Sequence, residues 1–288
     1  MKTVRTVRDL RAALSSQRAA GASVALVPTM GALHDGHLEL ARRARAENDV
    51  VVMSIFVNPS QFDDPADLAA YPRDEVADAE LAAGVGVDLL YMPWAAEIYP
   101  PGFTVTVALH GPIVETLEGT HRGVGHFRGV TTVVSKLLNI AGPQRAYFGA
   151  KDAQQARVVR AMVADLDIDT EIVTVPTVRE PDGLAMSSRN RRLSPAERSQ
   201  ATGLFAALRA AQQMNSGGEG RGQVILAEAN RILTEQGITP EYLALVDADT
   251  FLPATTVGVQ PTVLLVAAQI GNTRLIDNVH LGAPKSVR

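Results

Sequence analysis

The chain has no cysteine. Disulfides, thiolate metal sites and a cysteine nucleophile are therefore excluded, and a reducing cytoplasm is the compartment expected. A basic excess is also missing. Lys and Arg number 27 against 31 Asp and Glu, a formal charge of −4 at pH 7, with a pI of about 5.9. That argues against a nucleic-acid partner and leaves room for a local phosphate site. No run approaches the ~18 apolar residues that cross a bilayer, so no membrane partner is expected. The opening MKTVRTVRDLRAAL is charged throughout and has no apolar signal core. Internal repeats and extended low-complexity tracts are absent too. What is present is a globular balance, 46% hydrophobic and 20% charged over 288 residues, enough for one large domain or two ordinary ones.

The pattern of the first two-thirds is strand, helix, strand. Val24 to Val27 is an apolar run ending at Pro28. After His37 the apolar residues Leu38, Leu40, Ala41 and Ala44 recur at helical spacing, to about Glu47. Val50 to Val57 is unbroken, as in a parallel strand covered on both faces. Two helices (Thr6 to Ala20, and Tyr71 to about Ala83), a strand at Val87 to Met92 and an edge strand or hairpin at Phe103 to Leu109 are also expected. Further on, the pattern gives a helix at Val130 to Ile140, strands at Arg145 to Phe148 and Thr170 to Val178, and a helix between them. Five or six strands alternating with helices predict an open, doubly wound α/β sheet, with ligands beyond the carboxyl ends of its strands. The second part opens with a capping box at Ser194 to Glu197. It continues as two helices and then strands at Tyr242 to Val246 and Thr262 to Ile270, followed by a Gly271-Asn272-Thr273 turn. A smaller α+β domain is expected, dividing the chain into residues 1–178 and 179–288.

The polar residues gather at the predicted strand ends. His34 and His37 lie where a strand hands over to a helix N-terminus. Three apart, they are either phosphate-binding imidazoles or ordinary capping histidines; zinc helices favour histidines four apart with a third ligand. Gly149-Ala150-Lys151-Asp152 is either a capped helix start or a place for Lys151 against a polyphosphate. Met186-Ser187-Ser188-Arg189-Asn190 reads as a phosphate grip or as a polar linker. Gln61 and Gln155 are neutral hydrogen-bonders suited to hydroxyls and a carboxylate, or structural. Asp74 and Asp78 mark a solvated helix face or a Mg2+ site. Arg122, His126 and Arg128, in a glycine-rich stretch, mark an anion-binding flap or a hairpin.

Taken together, VPTMGALHDGH, SIFVNPSQF, YPR, LEG…HFRGV, FGAKDAQQ and VPTVREPDGLAMSSRNRRLS resemble the pantothenate synthetase (pantoate–β-alanine ligase) family of the HxGH nucleotidyltransferase superfamily. A fainter likeness continues through EYL (Glu241 to Leu243) and NTRLIDN (Asn272 to Asn278). The resemblance implies an AMP-forming ligase. Pantoate is activated by ATP as pantoyl adenylate, and the amine of β-alanine then takes the acyl group to give pantothenate. It implies catalytic roles for His37, His34 and Lys151. It implies ATP contacts from Met30, Gly31, His34, Gly36, His37, Gly149, Lys151, Asp152, Val178, Met186, Ser187, Ser188 and Arg189. Pantoate would be held by Gln61, Gln155, Met30 and Asn58, β-alanine by Gln61, and Mg2+ by Asp78. A Rossmann-like domain, a smaller C-terminal lid domain and a homodimer are implied as well. Two departures stand out. Ala150 and Ala153 replace the family's glutamate and aromatic around Lys151-Asp152, and LEGTHRGVGHF carries one extra residue and no proline. The competing readings are a nucleotidyl transferase with another acceptor and a nucleotide-binding protein without catalysis.

Overall fold

Alternate residues of the apolar runs bury themselves on opposite faces of one sheet, which makes the sheet covered on both sides. The computed structural model describes residues 1–62 and 65–282. Val24 and Leu26 of strand β2 (Val24–Thr29), Val50 and Val52 of β3 (Val50–Ile55), Leu89 and Tyr91 of β4 (Leu89–Tyr91), and Ala146 and Phe148 of β5 (Arg145–Gly149) share one core. It is closed by the helices Val7–Ala19, Val124–Ala141 and Ala153–Asp165. The intervening Ala25, Val27, Val51, Met53, Leu90 and Tyr147 form the other core, with Leu38, Leu40, Ala41 and Ala44 of the helix Asp35–Glu47. With β1 (Lys2–Val4) and β6 (Glu171–Val175), six parallel strands stand in the order β1-β4-β3-β2-β5-β6.

That order reverses direction between β2 and β5. From β2 the chain steps to β3 and β4 on one side; β5 and β6 lie on the other. β2 pairs with β3 along its whole length but with β5 only at Ala25 and Leu26. The carboxyl ends of β2 and β5 therefore flank the switch-point crevice where open α/β sheets bind ligands.

The chain folds as two compact units, residues 1–150 with 154–176, and residues 151–153 with 177–288. The second unit has a core of its own, built from the helices Pro195–Ser216 and Gly222–Glu235 and an antiparallel sheet of β7 (Pro240–Asp247), β8 (Thr262–Ile270) and β9 (Thr273–Leu281). The predicted capping box is present, with Ser194 N–H donating to Glu197 Oε2 at 2.8 Å.

Besides the short β1, which was not anticipated, four elements differ from the sequence expectation. The helix expected after His37 begins at Asp35, so His34 is its N-cap and His37 lies in its first turn. The glycine-rich stretch is helical, Glu118–Arg122 and Val124–Ala141, rather than a hairpin. The edge strand expected at Phe103 to Leu109 is absent. Threonine hydroxyls of the neighbouring helix bond its central backbone instead: Val107 N–H donates to Thr132 Oγ1 and Val107 O accepts from Thr131 Oγ1. Strand β9 was not anticipated, because Asp277 and Asn278 interrupt its apolar pattern; both are buried.

Candidate functional site

In the first unit, the chain leaving β2 makes a tight turn before the helix Asp35–Glu47. Thr29 Oγ1 donates to Ser54 O at 2.7 Å and accepts the Gly31 N–H at 3.2 Å. Gly31 has φ +83° and Ala32 φ +51°, the left-handed region that costs a residue with a Cβ ~1–2 kcal/mol. The turn delivers His34 as N-cap of a 13-residue helix. The His34 and His37 rings stack, with centroids 4.0 Å apart and planes at 26°. Both are half-buried. The Asp35 and Gly36 amides of the first turn have no carbonyl within the helix to bond, so helix dipole, amides and imidazoles coincide at the carboxyl end of β2. This arrangement suits a polyphosphate.

A second cluster follows β3. Asn58 is 1% exposed. Its Oδ1 accepts from Ser60 N–H at 3.3 Å, Ser60 Oγ at 2.9 Å and the Tyr99 hydroxyl at 2.8 Å. Its Nδ2 donates to Gly129 O at 3.1 Å and Gln61 Oε1 at 2.9 Å. Burial raises the Tyr99 phenol above its ordinary 10.0, against the bonds to Ser60 and Asn58 that lower it, so it stays protonated and donates. With its oxygen taken by Asn58, Gln61 presents its Nε2, which lies 3.2 Å from Met30 Sδ, a weak acceptor. A carboxylate or hydroxyl oxygen would be a better partner for that amide. His126 Nδ1 lies 3.0 Å from Gln61 O. A Cβ at Gly129 would come within 2.2 Å of Ser60 O, so only glycine lets the helix Val124–Ala141 pack this closely under the Gln61 turn.

The structure therefore brings Met30, Asn58 and Gln61 into one cluster and His34 and His37 into another on the same turn. Gln155 is half-buried in the first turn of the helix Ala153–Asp165. Its neighbour Gln154, 2% exposed, is a framework residue: it accepts from Glu118 N–H and donates to Ile113 O and Thr116 O. Arg122 is engaged by Glu118 at 2.8 Å. Gly149 is the last residue of β5.

Asp78, which the resemblance implies for Mg2+, is engaged by the backbone of the turn. It is 3% exposed, and its two oxygens accept the Ala32 and Leu33 N–H groups at 2.9 and 2.7 Å. Among the described residues no cluster of three His, Cys, Asp or Glu side chains could hold a metal ion.

In the second unit, Val178 and Met186 are joined by Met186 N–H donating to Val178 O at 3.0 Å, closing a hairpin turned at Glu180–Gly183. Ser187 caps the short 3-10 helix Ser188–Arg192, accepting from Arg189 N–H at 3.3 Å. Met186, Ser187, Ser188 and Arg189 are all half-buried. Asn190 fastens this segment to Glu180 Oε1 and Ala185 O at 2.8 and 3.0 Å. The Arg198 hydrogen bond holds the Glu180 carboxyl below its ordinary 4.5, against desolvation, with Asn190 assisting. Lys151, with Asp152 Oδ1 3.9 Å from its ammonium, has its carbonyl bonded by Asn278 Nδ2 at 2.9 Å.

Two residues of this unit, Asp277 and Phe205, were not singled out in the sequence. Both hold Arg179, which makes a two-pronged bond to Asp277 at 2.6 and 3.0 Å and lies 3.9 Å over the Phe205 ring. Asp277 Oδ1 also accepts the Asn278 N–H at 2.7 Å. The faint NTRLIDN likeness covers Asp277; nothing in the sequence pointed to Phe205.

The pantoate-beta-alanine ligase family model matches residues 2–280. The chain is 49% identical over 282 residues to a pantothenate synthetase of Moorella thermoacetica, covering 98% of this chain and 99% of that protein. It is 51% identical over 277 residues to one of Cereibacter sphaeroides, covering 96% and 98%. The crystal structure of pantothenate synthetase from Thermus thermophilus aligns with a TM-score of 0.92 at 46% identity, over 98% of this chain and 100% of that one. That of a Francisella tularensis pantoate-beta-alanine ligase, complexed with beta-gamma ATP and beta-alanine, aligns at 0.80 and 34% identity over 97% of each.

Proposed function

From the premise that the chain belongs to the pantoate–β-alanine ligase family, we propose how its residues divide the work and that the reaction runs through an acyl adenylate. The enzyme is a ligase that condenses pantoate with β-alanine using ATP. A carboxylate is a poor acyl donor. Its oxygen attacks the α-phosphorus, the bond to the bridging oxygen breaks, and diphosphate leaves. The β-alanine amine then attacks the acyl carbon, the C–O bond breaks, AMP departs and the amine loses a proton. Neither step needs a protein nucleophile; both need phosphate charge neutralised and the reactants held in line.

His34 and His37 donate to phosphate oxygens as negative charge builds on them, with His37 the proton donor. The observation that carries this reading is the stacked His34–His37 pair at the first turn of a helix beside the sheet's switch point. Met30, Gly31, Gly36 and Gly149 line the nucleotide. Lys151, Ser187, Ser188 and Arg189 bind phosphates, and Asp152, Val178 and Met186 the nucleoside. Gln61, fixed by Asn58, gives its amide N–H to pantoate and afterwards lies beside β-alanine; Gln155 and Met30 complete the pantoate contacts. Mg2+ bound with ATP would supply charge neutralisation on the phosphates. A homodimer, a cytoplasmic location and a lid role for the second unit belong to the same proposal. Among the described residues, no helix is long and apolar enough to cross a membrane.

The test mixes purified protein, ATP, Mg2+ and pantoate with and without β-alanine. Pantoate-dependent diphosphate release without β-alanine, followed by AMP and pantothenate when β-alanine is added, is expected. Diphosphate release only when both acids are present would exclude the adenylate route.

A further inference from the structure

Asp78 is a buried carboxylate that none of the proposed chemical steps uses. It lies in the first turn of the helix Glu75–Gly84, capped by Asp74, whose own Oδ1 accepts Ala77 N–H at 3.0 Å. At that position a negative charge also faces the positive end of the helix dipole. Its two oxygens are divided between consecutive amides, Oδ2 on Ala32 and Oδ1 on Leu33. Two successive residues with positive φ, Gly31 and Ala32, turn neighbouring N–H groups to one side, as in the backbone nests that bind anions. Here the anion is supplied by the protein. The fit is close: a Cβ on Gly31 would stand 2.8 Å from Asp78 Oδ2 and 3.0 Å from Ile55 Cγ2.

These contacts leave little place for a metal. Mg2+ demands six oxygens at ~2.0–2.1 Å in near-octahedral order and keeps several waters. Asp78 is 3% exposed, walled by the Gly31 backbone, and belongs to no cluster of three metal-ligating side chains among the described residues.

We propose that Asp78 is a positioning residue of this ligase: its carboxylate clamps the Gly31–Leu33 turn so that His34 and His37 meet the nucleotide, and it is not a ligand of the Mg2+ that accompanies ATP. The inference rests on the reading of His34 and His37 as the phosphate-binding pair. The clamp holds a left-handed alanine one residue from Leu33 and two from the helix N-cap. Loosening it moves the start of the helix while leaving the Asn58–Gln61 cluster in place.

The experiment measures binding of a non-hydrolysable ATP analogue to wild type and Asp78→Asn, once with Mg2+ and once with EDTA. Asparagine keeps one acceptor and replaces the other with a donor facing an N–H. Loss of a charge-assisted bond predicts an affinity lower by about tenfold to a hundredfold. A clamp predicts the same factor with and without metal, to within about twofold, since Asp78 and Mg2+ then have no coupling. In turnover, the variant's kcat falls while its KM for β-alanine and its half-activating Mg2+ concentration stay within about twofold of wild type. A loss confined to the Mg2+ arm, or a rate restored by excess Mg2+, overturns the proposal. So does a variant with unchanged nucleotide affinity and kcat. Should Asp78→Asn not fold, hydrogen exchange on the wild-type protein decides. The Ala32 and Leu33 amides, which lie outside any helix or strand, are expected to exchange as slowly as those of β2, and exchange at free-loop rates overturns the clamp. This last measurement needs neither catalysis nor nucleotide, so it separates failure of the clamp from failure of the phosphate reading.

Discussion

The turn at residues 30–37 and the hairpin at residues 178–186 are both proposed to hold phosphates and nucleoside, and they are built in opposite ways. The first is shaped by its backbone: Gly31 and Ala32 at positive φ, Thr29 under Gly31, and one buried carboxylate on two amides. All but Asp78 come from within eight residues. The second is shaped by side chains remote in sequence. Arg179 is fixed by Asp277 and Phe205, Glu180 by Arg198 and Asn190, and Asp182 by Arg198. Buried carboxylate–amide bonds of the first kind are screened little by salt. Ion pairs of the second kind, several of them part-exposed, are screened more. The proposed nucleotide contacts thus draw on a turn clamped by a carboxylate on backbone amides and on a hairpin held by ion pairs.

The largest effect that would break this comparison lies in the turn. His37→Ala removes an imidazole from a frame set by backbone and by Asp78, so the frame stays and the donor is lost. Adenylate formation, followed as pantoate-dependent diphosphate release, is expected to slow by about 10²–10³, the ~3–4 kcal/mol that one well-placed transition-state donor supplies. The melting temperature should change little. A loss below tenfold would mean the phosphates are held elsewhere. Lys151→Ala is expected to slow the same step by a similar factor, measured the same way, because its charge sits in the segment whose carbonyl Asn278 fixes.

The next effect belongs to the hairpin. Asp277→Ala leaves the Arg179 guanidinium without its counter-charge. Breaking a buried pair costs ~3–5 kcal/mol, and because Arg179 retains 18% exposure against 2% for Asp277, a value of about 3 kcal/mol is expected. Urea unfolding of the full chain checks it. A cost below about 1 kcal/mol, the range of surface pairs, would show that Phe205 stacking and the Gly183 and Asn278 carbonyls hold Arg179 without the ion pair.

The same contrast explains what was legible in the sequence. Five of the six strands of the parallel sheet were read correctly because runs such as Val24–Val27 and Val50–Met53 are buried on both faces and carry no polar interruption. The short β1 escaped, since three residues at a sheet edge give no pattern. His34 and His37 were visible because helix start and apolar strand adjoin in sequence. Asp78 was visible as an acid on a helix but not as a clamp, because its partners lie more than forty residues earlier. Gln154 and Gln155 are indistinguishable by type, and only the packing of Ile113, Thr116 and Glu118 against one of them separates framework from candidate. The Arg179–Asp277 pair was not legible because the two residues lie 98 positions apart, and Asp277 sits inside a strand whose buried polar residues hid it.

The smallest effect is the one that isolates the hairpin from the turn. Glu180 has a carboxyl held below its ordinary 4.5 by Arg198. A group whose folded pKa is depressed contributes stability that is fully present above the unfolded value and disappears as pH falls through the folded one. Between neutrality and pH 4.5 the Glu180–Arg198 contribution should therefore be constant, and it should fade only below that. Glu180→Gln keeps the shape and removes the charge, and should lower stability at pH 7 by about 1 kcal/mol, as for a part-buried charge-assisted bond. The difference from wild type should shrink as pH drops below 4.5, because wild type then loses its own charge. Thermal unfolding of both proteins from pH 7 to pH 3 reads it out. A difference that persists undiminished at the acid end would mean that the variant acts through something other than the loss of the Glu180 charge beside Arg198. The hairpin would then be held as the turn is, by hydrogen bonds without an ion pair, and the contrast between the two regions would fail.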